Sequence, residues 1–318
     1  MIGRTLRSLR RRGLRGTWAV APAAASETIA RELAVPIRRA YVHRLAAWAQ
    51  APLVPAAPLD VSVVSFVQER DVPELVASAR CFLARAGTPR EFVVVSDGTI
   101  TPQSASVIRS IRPDVVSVQS PAEYVGRHEL HPAVRSFMRG SPWGSKLATI
   151  MAMGERAPAL YVDSDLWYFP RAAELRTLCA GSLPLFLQDI APYLDPRMLR
   201  TEAPGDVRAK PVNAGMLFMP GPLDWTLSLS RLDALDGDPI GDSEQAAVHL
   251  TFIGAGAEPF PADRFVINPR RASAQDGARP RDVAVRHYTR PQRGLFWLHV
   301  PRFELKQRRN ARVGASST

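Results

Sequence analysis

The stretch "ALYVDSDLWYF", residues 159–169, is an apolar run with two aspartates, Asp163 and Asp165, set one residue apart in its middle. An unpaired carboxylate buried among apolar side chains is costly. The strand therefore either ends there in a solvated turn or delivers both carboxylates to a cation. In an extended chain, residues i and i+2 point to one face, so the pair can converge on one hard divalent cation, which prefers oxygen ligands.

The chain before this stretch alternates between strand-like and helix-like segments. Three segments rich in β-branched residues are typical of strands, and two with apolar residues three and four apart are typical of helices: 61–67, 91–98 and 114–119 for the strands, 72–87 and 103–111 for the helices. Strands joined by helices at this spacing predict parallel pairing with right-handed crossovers. Ligands of such sheets gather at the carboxyl ends of the strands, so Ser65 and Asp97 are candidate donor-binding residues.

A lysine stands out in the segment directly before the two aspartates. The nine residues "SKLATIMAM", 145–153, have helix composition, with Ser145 as the predicted cap and Gly154 as the predicted stop. Lysine occurs at only three positions, 146, 210 and 306, although lysine and arginine together number 41. Lys146 is therefore either a functional residue or a solvated lysine at the start of a helix.

The composition describes a basic globular chain. Its 318 residues, 46% of them hydrophobic, are enough to bury a core. The net charge of +11 comes mostly from arginines, which are densest near the two termini. The two cysteines lack metal-ligand spacing and predict inert thiols in a reducing compartment. No apolar run approaches the about twenty residues of a transmembrane helix, so we predict a cytoplasmic protein.

The chain divides into three predicted regions. These are a basic, partly helical N-terminal extension at 1–56, the main domain at 57–305 and a basic disordered tail at 306–318. In the extension, residues 27–50 predict a helical segment broken at Pro36. Residues 1–20 interleave six arginines with leucines. They are either a disordered tail or a basic amphipathic helix that lies on anionic lipid at the inner face of the membrane.

Three further motifs follow the aspartates in the chain. They are "PVNAGMLFMP" at 211–220, "GDSEQAAVHLTF" at 241–252 and "VRHYTRPQRGLFW" at 285–297. With Lys146 and the aspartate pair, they stand in the order found in the retaining glycosyltransferases of family eight, which include glycogenin and bacterial galactosyl- and glucosyltransferases. From Val61 to Trp297, about three quarters of its length, the chain resembles that family. The resemblance implies a GT-A-type, Rossmann-like mixed α/β sheet flanked by helices.

The resemblance also implies three groups of site residues. They are the ligands of Mn²⁺ or Mg²⁺ (Asp163, Asp165, His287), catalytic residues near the donor sugar (Asn213, Asp242, Gln245) and further donor-binding residues (Lys146, Gly215, Arg290, Arg293). The late motif departs from the family, because Arg290 stands where the family has glycine and Arg293 where it has lysine. Glu244 directly precedes Gln245 where the family has aspartate, so Asp242, Glu244 and Gln245 remain alternatives for one role.

These implications predict a hexosyltransferase. It moves a sugar from a nucleotide-diphosphate donor, a UDP-sugar, to a hydroxyl of a saccharide or other acceptor, with retention. The residues support such chemistry independently of the resemblance. Expulsion of a diphosphate requires its growing charge to be neutralised, which a divalent ion does as a Lewis acid and Lys146, Arg290 or Arg293 can do as fixed positive charge.

Two other classes of protein remain open. A nucleotidyltransferase on a similar fold also holds a metal, but it needs a glycine-rich basic loop after the first strand, where this chain reads "FVQERDVPE". The net charge also fits a nucleic-acid or anionic-lipid binding protein with a degenerate, non-catalytic transferase domain. No recognised nucleic-acid motif occurs, so we expect no nucleic-acid partner.

Overall fold

The computed structural model of the protein describes residues 23–126, 129–199, 210–268, 282–290 and 292–315. The arginine-rich segment 1–20, with its two predicted alternatives of disorder and lipid binding, lies outside these ranges. Within them, no helix is both long enough and apolar enough to cross a membrane.

A seven-stranded mixed sheet and a smaller three-stranded sheet form the centre of the fold. The strands are β1 Ser62–Val67, β2 Glu91–Ser96, β3 Val116–Gln119, β4 Ala159–Val162, β5 Leu166–Tyr168, β6 Leu185–Gln188, β7 Val212–Met219, β8 Glu258–Pro259, β9 Phe265–Ile267 and β10 Val285–His287. The large sheet has the order β3-β2-β1-β4-β7-β6-β8. Its first three neighbouring pairs are parallel, as the strand–helix alternation predicts, whereas β7 runs antiparallel to both β4 and β6. The predicted α/β fold with a mixed sheet is confirmed.

Helices cover both faces of the large sheet. The α-helices are α1 Ala23–Val42, α2 Leu45–Ala49, α3 Val72–Arg85, α4 Pro102–Arg109, α5 Pro121–Val125, α6 Pro132–Gly140, α7 Pro142–Ala152, α8 Leu175–Leu178, α9 Thr226–Asp233, α10 Gly241–Gly254 and α11 Val300–Ala315. Short 3₁₀ helices span Glu69–Asp71, Met153–Arg156, Pro170–Glu174 and Arg293–Leu298. Successive strand side chains alternate between faces, so Val63 of β1 joins the core that includes α3, and Val64 joins the opposite core that includes α7.

The small sheet brings distant parts of the chain to the carboxyl end of β4. In it, β10 pairs antiparallel with β5 and parallel with β9. The register sets His287, the last residue of β10, opposite Leu166, the first residue of β5. Because Asp165 directly precedes Leu166, this pairing carries the late histidine to the aspartate pair.

Two helix predictions are wrong in their boundaries. Helix α1 continues through Pro36 instead of breaking there. Ala34 and Tyr41 of this helix are buried in the core, and this tertiary packing offsets the cost of about 3 kcal/mol of a proline inside a helix. Helix α7 begins after Ser141, whose side chain accepts a hydrogen bond from the backbone N–H of Trp143 at 3.3 Å, so the cap is not Ser145.

The prediction of a disordered tail at 306–318 is wrong for residues 306–315, which belong to helix α11. One face of this helix is buried, although the segment is rich in basic residues. Glu304 pairs with Arg80 at 3.0 Å, and both side chains are buried. Gln307 accepts a hydrogen bond from the backbone N–H of Val54 at 3.2 Å. With Phe303, these residues fix the helix to α3 and to the segment before β1.

Candidate active site

One cavity of about 440 Å³ opens at the carboxyl ends of β1 and β4. Ten of the twelve site residues that the sequence predicts line it: Lys146, Asp163, Asp165, Asn213, Gly215, Asp242, Gln245, His287, Arg290 and Arg293. They come from five separate segments of the chain, between α7 and the short helix Arg293–Leu298. The sheet edge that the strand pattern predicts for a ligand is therefore where these residues meet.

The structure places the other two predicted residues outside this cavity. Ser65 lies within β1 and is fully buried, and its hydroxyl has no hydrogen-bond partner in the described part of the chain. Asp97 closes the turn after β2, where its Oδ1 accepts a hydrogen bond from the backbone N–H of Thr99 at 2.9 Å. Phe66 and Gln68, which follow Ser65 in the chain, line the cavity instead.

Asp163, Asp165 and His287 form the group that is able to hold a metal ion. One ligand atom from each lies within 4.8 Å of the others, and no second group of this kind occurs among the described residues. Nε2 of His287 is 3.1 Å from Oδ1 of Asp165 and 3.6 Å from Oδ2 of Asp163. Two carboxylates and one imidazole are a donor set that suits a divalent ion such as Mn²⁺. The residues therefore fit the metal that the sequence implies.

Two protein cations accompany the aspartates. Nζ of Lys146 lies 3.4 Å from Oδ1 of Asp163. Nε of Arg293 lies 2.9 Å from Oδ2 of Asp165, and its Nη1 lies 3.0 Å from Oδ1 of Asp71. Each aspartate thus has a fixed positive charge beside it, and both cations line the cavity, where an anionic ligand can also reach them.

Burial and these charges oppose each other in the pKa values of the site. Burial alone lowers the pKa of Lys146, but Asp163 and Glu244 raise it above its usual value. Burial likewise lowers the pKa of His287, but Asp165 and Asp163 raise it overall. For Glu244, burial raises the pKa to about 7 although Lys146, 3.7 Å away, opposes the shift. The two aspartates therefore favour the protonated form of His287 in the metal-free protein.

Asn213 and Gly215 at the start of β7 support His287. Asn213 Oδ1 accepts a hydrogen bond from the backbone N–H of Gly215 at 2.9 Å and lies 3.1 Å from Nδ1 of His287. The imidazole packs directly on Gly215, where a Cβ would stand 2.2 Å from Cε1 of the ring. Glycine is required at this position because the histidine occupies the space of any side chain.

The start of helix α10 separates the three residues that the sequence leaves as alternatives. Glu244 is buried and faces Lys146. Gln245 donates a hydrogen bond from Nε2 to the backbone carbonyl of Tyr193 at 2.9 Å. Asp242 is exposed at the rim of the cavity. The residue next to the lysine is thus the glutamate.

Several residues that contact the site residues escape the sequence analysis. Asp189 directly follows β6, is buried, and accepts a hydrogen bond from Nδ2 of Asn213 at 2.8 Å. Asp71 holds Arg293, and the hydroxyl of Tyr161 donates to Oδ1 of Asp163 at 2.8 Å. For Asp189, the usable signal is an aspartate at the end of the strand-like run "LFLQ", the same pattern that identifies Asp163.

A second cavity of about 520 Å³ adjoins the first. The two share Asn213, Gln245, Thr289 and Arg290. The second cavity also presents two apolar side chains with large exposure, Ile190 at 54% and Tyr193 at 60%. It thus continues the charged cavity into a more apolar one with exposed side chains.

No protein-family model and no curated protein matches the sequence. Among solved structures, the chain is similar to the galactosyltransferase LgtC in complex with donor and acceptor sugar analogs, at 14% identity and a TM-score of 0.46, over 77% of this chain and 96% of LgtC. It is similar to the bifunctional glycosyltransferase WbbM at 12% identity and a TM-score of 0.47, over 81% of this chain and 53%, about half, of WbbM. It is similar to the mannosyltransferase Ktr4p from S. cerevisiae at 11% identity and a TM-score of 0.28, over 54% of this chain and 52% of Ktr4p.

Proposed function

We propose that the protein is a metal-dependent glycosyltransferase that moves a hexose from a nucleotide-diphosphate donor to a hydroxyl of an acceptor, with retention. One observation carries the proposal. Asp163, Asp165 and His287 converge to within 4.8 Å in the cavity that Lys146 and Arg293 also line. Four of these positions match motifs of family-eight glycosyltransferases, and Arg293 stands where that family has lysine.

The charge arrangement suits the departure of a nucleoside diphosphate. A divalent ion held by Asp163, Asp165 and His287 would act as a Lewis acid toward the diphosphate oxygens. Lys146 and Arg293 add positive charge beside that position, and Arg290 lines the same wall. Such preorganised charge stabilises the leaving group because it needs no rearrangement when the bond breaks.

The acceptor occupies the adjoining cavity in this proposal. The two cavities share Asn213 and Gln245, which the resemblance puts near the donor sugar, and this supports an acceptor site there. Tyr193, with its exposed ring, offers an aromatic face to a saccharide or to an apolar part of the acceptor. The acceptor hydroxyl then approaches the donor from the side of the exposed Ile190 and Tyr193.

The donor base and the location of the enzyme are further parts of the proposal. We infer a UDP-sugar as donor and a cytoplasmic enzyme that residues 1–20 hold at the inner face of the membrane. Six arginines lie in that segment, and each basic residue near an anionic surface is worth about 1 kcal/mol. Removal of residues 1–20 should abolish sedimentation with anionic liposomes at low salt and leave transfer in solution unchanged, whereas equal sedimentation would reject the membrane role.

Thermal unfolding with UDP, GDP, ADP and CDP, each with and without Mn²⁺, tests the donor site. A ligand that binds only the folded protein raises Tm by mass action. We expect a rise with UDP that depends on Mn²⁺, followed by release of UDP from UDP-glucose or UDP-galactose when an acceptor is present. The absence of any Mn²⁺-dependent shift with all four nucleotides would contradict the proposal, and binding without sugar transfer would favour a degenerate domain.

A further inference from the structure

The side-chain amide of Asn213 has one possible orientation. Its Oδ1 accepts a hydrogen bond from the backbone N–H of Gly215 at 2.9 Å, and its Nδ2 donates to Oδ2 of Asp189 at 2.8 Å. A backbone N–H only donates and a carboxylate only accepts, so the two ends of the amide cannot be exchanged. Asp189 is itself fixed, because its Oδ1 accepts from the backbone N–H of Ile190 at 2.7 Å.

This orientation determines which nitrogen of His287 carries a proton. Nδ1 of His287 lies 3.1 Å from Oδ1 of Asn213, which is an acceptor, so Nδ1 must be the donor. Contact with Gly215 prevents the ring from moving toward β7. The opposite nitrogen, Nε2, faces Asp165 and Asp163. In the metal-bound protein, Nε2 is therefore the nitrogen with a free lone pair.

We propose that Asn213, held by Asp189, is a positioning residue that assigns the tautomer of His287 and so presents the Nε2 lone pair to the divalent ion. The inference rests on the metal site of the proposed function. It gives Asn213 a role in metal binding, in place of the catalytic role near the donor sugar that the resemblance implies. It also gives a role to Asp189, which orients the amide with its negative charge.

The energetic reason is that a neutral imidazole has two tautomers and only one of them can bind the metal from this position. A partner that holds the proton on the far nitrogen removes the wrong tautomer and the ring rotations that accompany it. Loss of such a partner typically lowers metal affinity about 10- to 100-fold. We expect that range for removal of the Asn213 amide.

Metal titration of three variants tests the assignment. The affinity for Mn²⁺, measured by the electron paramagnetic resonance of the free ion, should fall about 10- to 100-fold in Asn213→Ala. In Asn213→Asp it should fall as well, because the introduced carboxylate faces Asp189 and is repelled. The double variant Asn213→Asp/Asp189→Asn exchanges the amide and the carboxylate between the two positions. It keeps an acceptor for Nδ1 of His287 and restores a donor between the two side chains, so it should recover most of the affinity.

Recovery in the double variant separates positioning from a loss of structure. Tm of each metal-free variant is measured in parallel, since Asn213→Ala also leaves the Gly215 N–H without its acceptor. A merely structural role predicts that affinity follows Tm across the three variants. Equal Mn²⁺ affinity in Asn213→Ala and the wild type, or a double variant no better than Asn213→Asp, would overturn the inference.

The tautomer can be observed directly with Zn²⁺, which is diamagnetic, in ¹⁵N-histidine-labelled protein. We expect a slowly exchanging Nδ1–H for His287, assigned by its loss in His287→Gln. His249 is an internal reference of opposite type, because its Nδ1 accepts a hydrogen bond from the backbone N–H of Val212 at 3.4 Å. Burial lowers the pKa of His249 to about 4, so it is neutral and protonated on Nε2 at pH 7.

The outcomes distinguish this inference from the proposed function. A zinc-loaded wild type with His287 protonated on Nε2 would refute the tautomer assignment and leave the glycosyltransferase proposal intact. A wild type that binds neither Mn²⁺ nor Zn²⁺ would refute both. A protein that binds metal through the Nδ1–H tautomer but transfers no sugar would support the inference and reject the proposed catalysis.

Discussion

The two joined cavities differ in how firmly their polar groups are held. At the metal end, the side chains of His287 and Asp165 are only 5% and 13% exposed, and each contacts at least two partners. At the other end, which we call the open end, Tyr193 and Ile190 are more than half exposed. The first end is preorganised for a compact charged group, whereas the second can accommodate acceptors of several shapes.

This difference predicts where substitutions act on catalysis. Groups at the metal end are expected to stabilise the transition state electrostatically, and such stabilisation is strong in a buried site. Groups at the open end contribute contact area, which is individually weak. Loss of a charge at the first end should therefore reduce turnover greatly, and loss of a ring at the second should change mainly the KM of the acceptor.

The largest effect is expected from Asp165→Asn. The amide keeps the shape of the side chain and removes the charge of one metal ligand. Transfer should fall about 1,000-fold, because a metal contributes several kcal/mol to transition-state stabilisation and each 1.36 kcal/mol is tenfold in rate. Initial rates at saturating Mn²⁺ measure the loss, and Asp163→Asn should behave alike.

A matched control for this variant is Asp114→Asn, which removes an exposed carboxylate paired with Arg112 far from the cavity lining. It should retain full transfer. Full activity of Asp165→Asn or Asp163→Asn, or full activity of the wild type in excess chelator, would contradict a metal role of the aspartate pair.

The aspartate pair illustrates how far the sequence alone leads. Their spacing in a strand places Asp163 and Asp165 on one face, which is a local property of the chain. Asp189 follows its strand in the same way but lies 24 residues from its partner Asn213. Such a contact depends on the antiparallel pairing of β6 with β7, which the repeated strand–helix pattern does not predict.

A smaller loss is expected from Lys146→Gln. Transfer should fall about 100-fold, within the range for removal of one preorganised electrostatic group. Affinity for Mn²⁺ should not fall with it, because the lysine competes with the metal for Asp163. Transfer rates and Mn²⁺ titrations on the same preparations test whether transfer falls while Mn²⁺ affinity is kept. A parallel loss of metal binding would make Lys146 a structural support of the site.

The next effect concerns pH. His287 must be neutral to bind a metal. Burial lowers the pKa of His287, but Asp165 and Asp163 raise it overall. Affinity for Mn²⁺ should therefore fall up to about tenfold per pH unit below that raised pKa. The metal-free protein responds in the opposite direction: the stability that protonated His287 contributes is complete below its unfolded pKa and is lost as pH rises through its folded pKa.

Burial raises the pKa of Glu244 to about 7, so its titration needs its own control. The variant Glu244→Gln removes that titration and keeps His287. The rise in Tm produced by Mn²⁺ should still grow with pH in Glu244→Gln. If the dependence on pH disappeared there, the glutamate rather than the histidine would set it.

His287 also shows what a local sequence pattern cannot predict. His287 is reached only through the resemblance of an ordered set of motifs, since no periodicity connects it with residues 122 positions earlier. The orientation of Asn213 lies beyond that resemblance as well. It follows from two hydrogen bonds and a ring contact that exist only when β6, β7 and β10 have assembled.

The smallest effect is expected at the open end, from Tyr193→Ala. Loss of an aromatic face removes about 0.5–1.5 kcal/mol, which corresponds to about a 2- to 12-fold increase in the KM of the acceptor. Mn²⁺ affinity and the KM of the donor should stay unchanged, because Gln245 contacts only the backbone carbonyl of Tyr193, which alanine retains. Tyr193→Phe is the matched control and should keep the acceptor KM, since it preserves the ring. A change in donor KM of the same size as the change in acceptor KM would show that the two cavities act as one site, and the contrast between a fixed charged end and an adaptable open end would then be wrong.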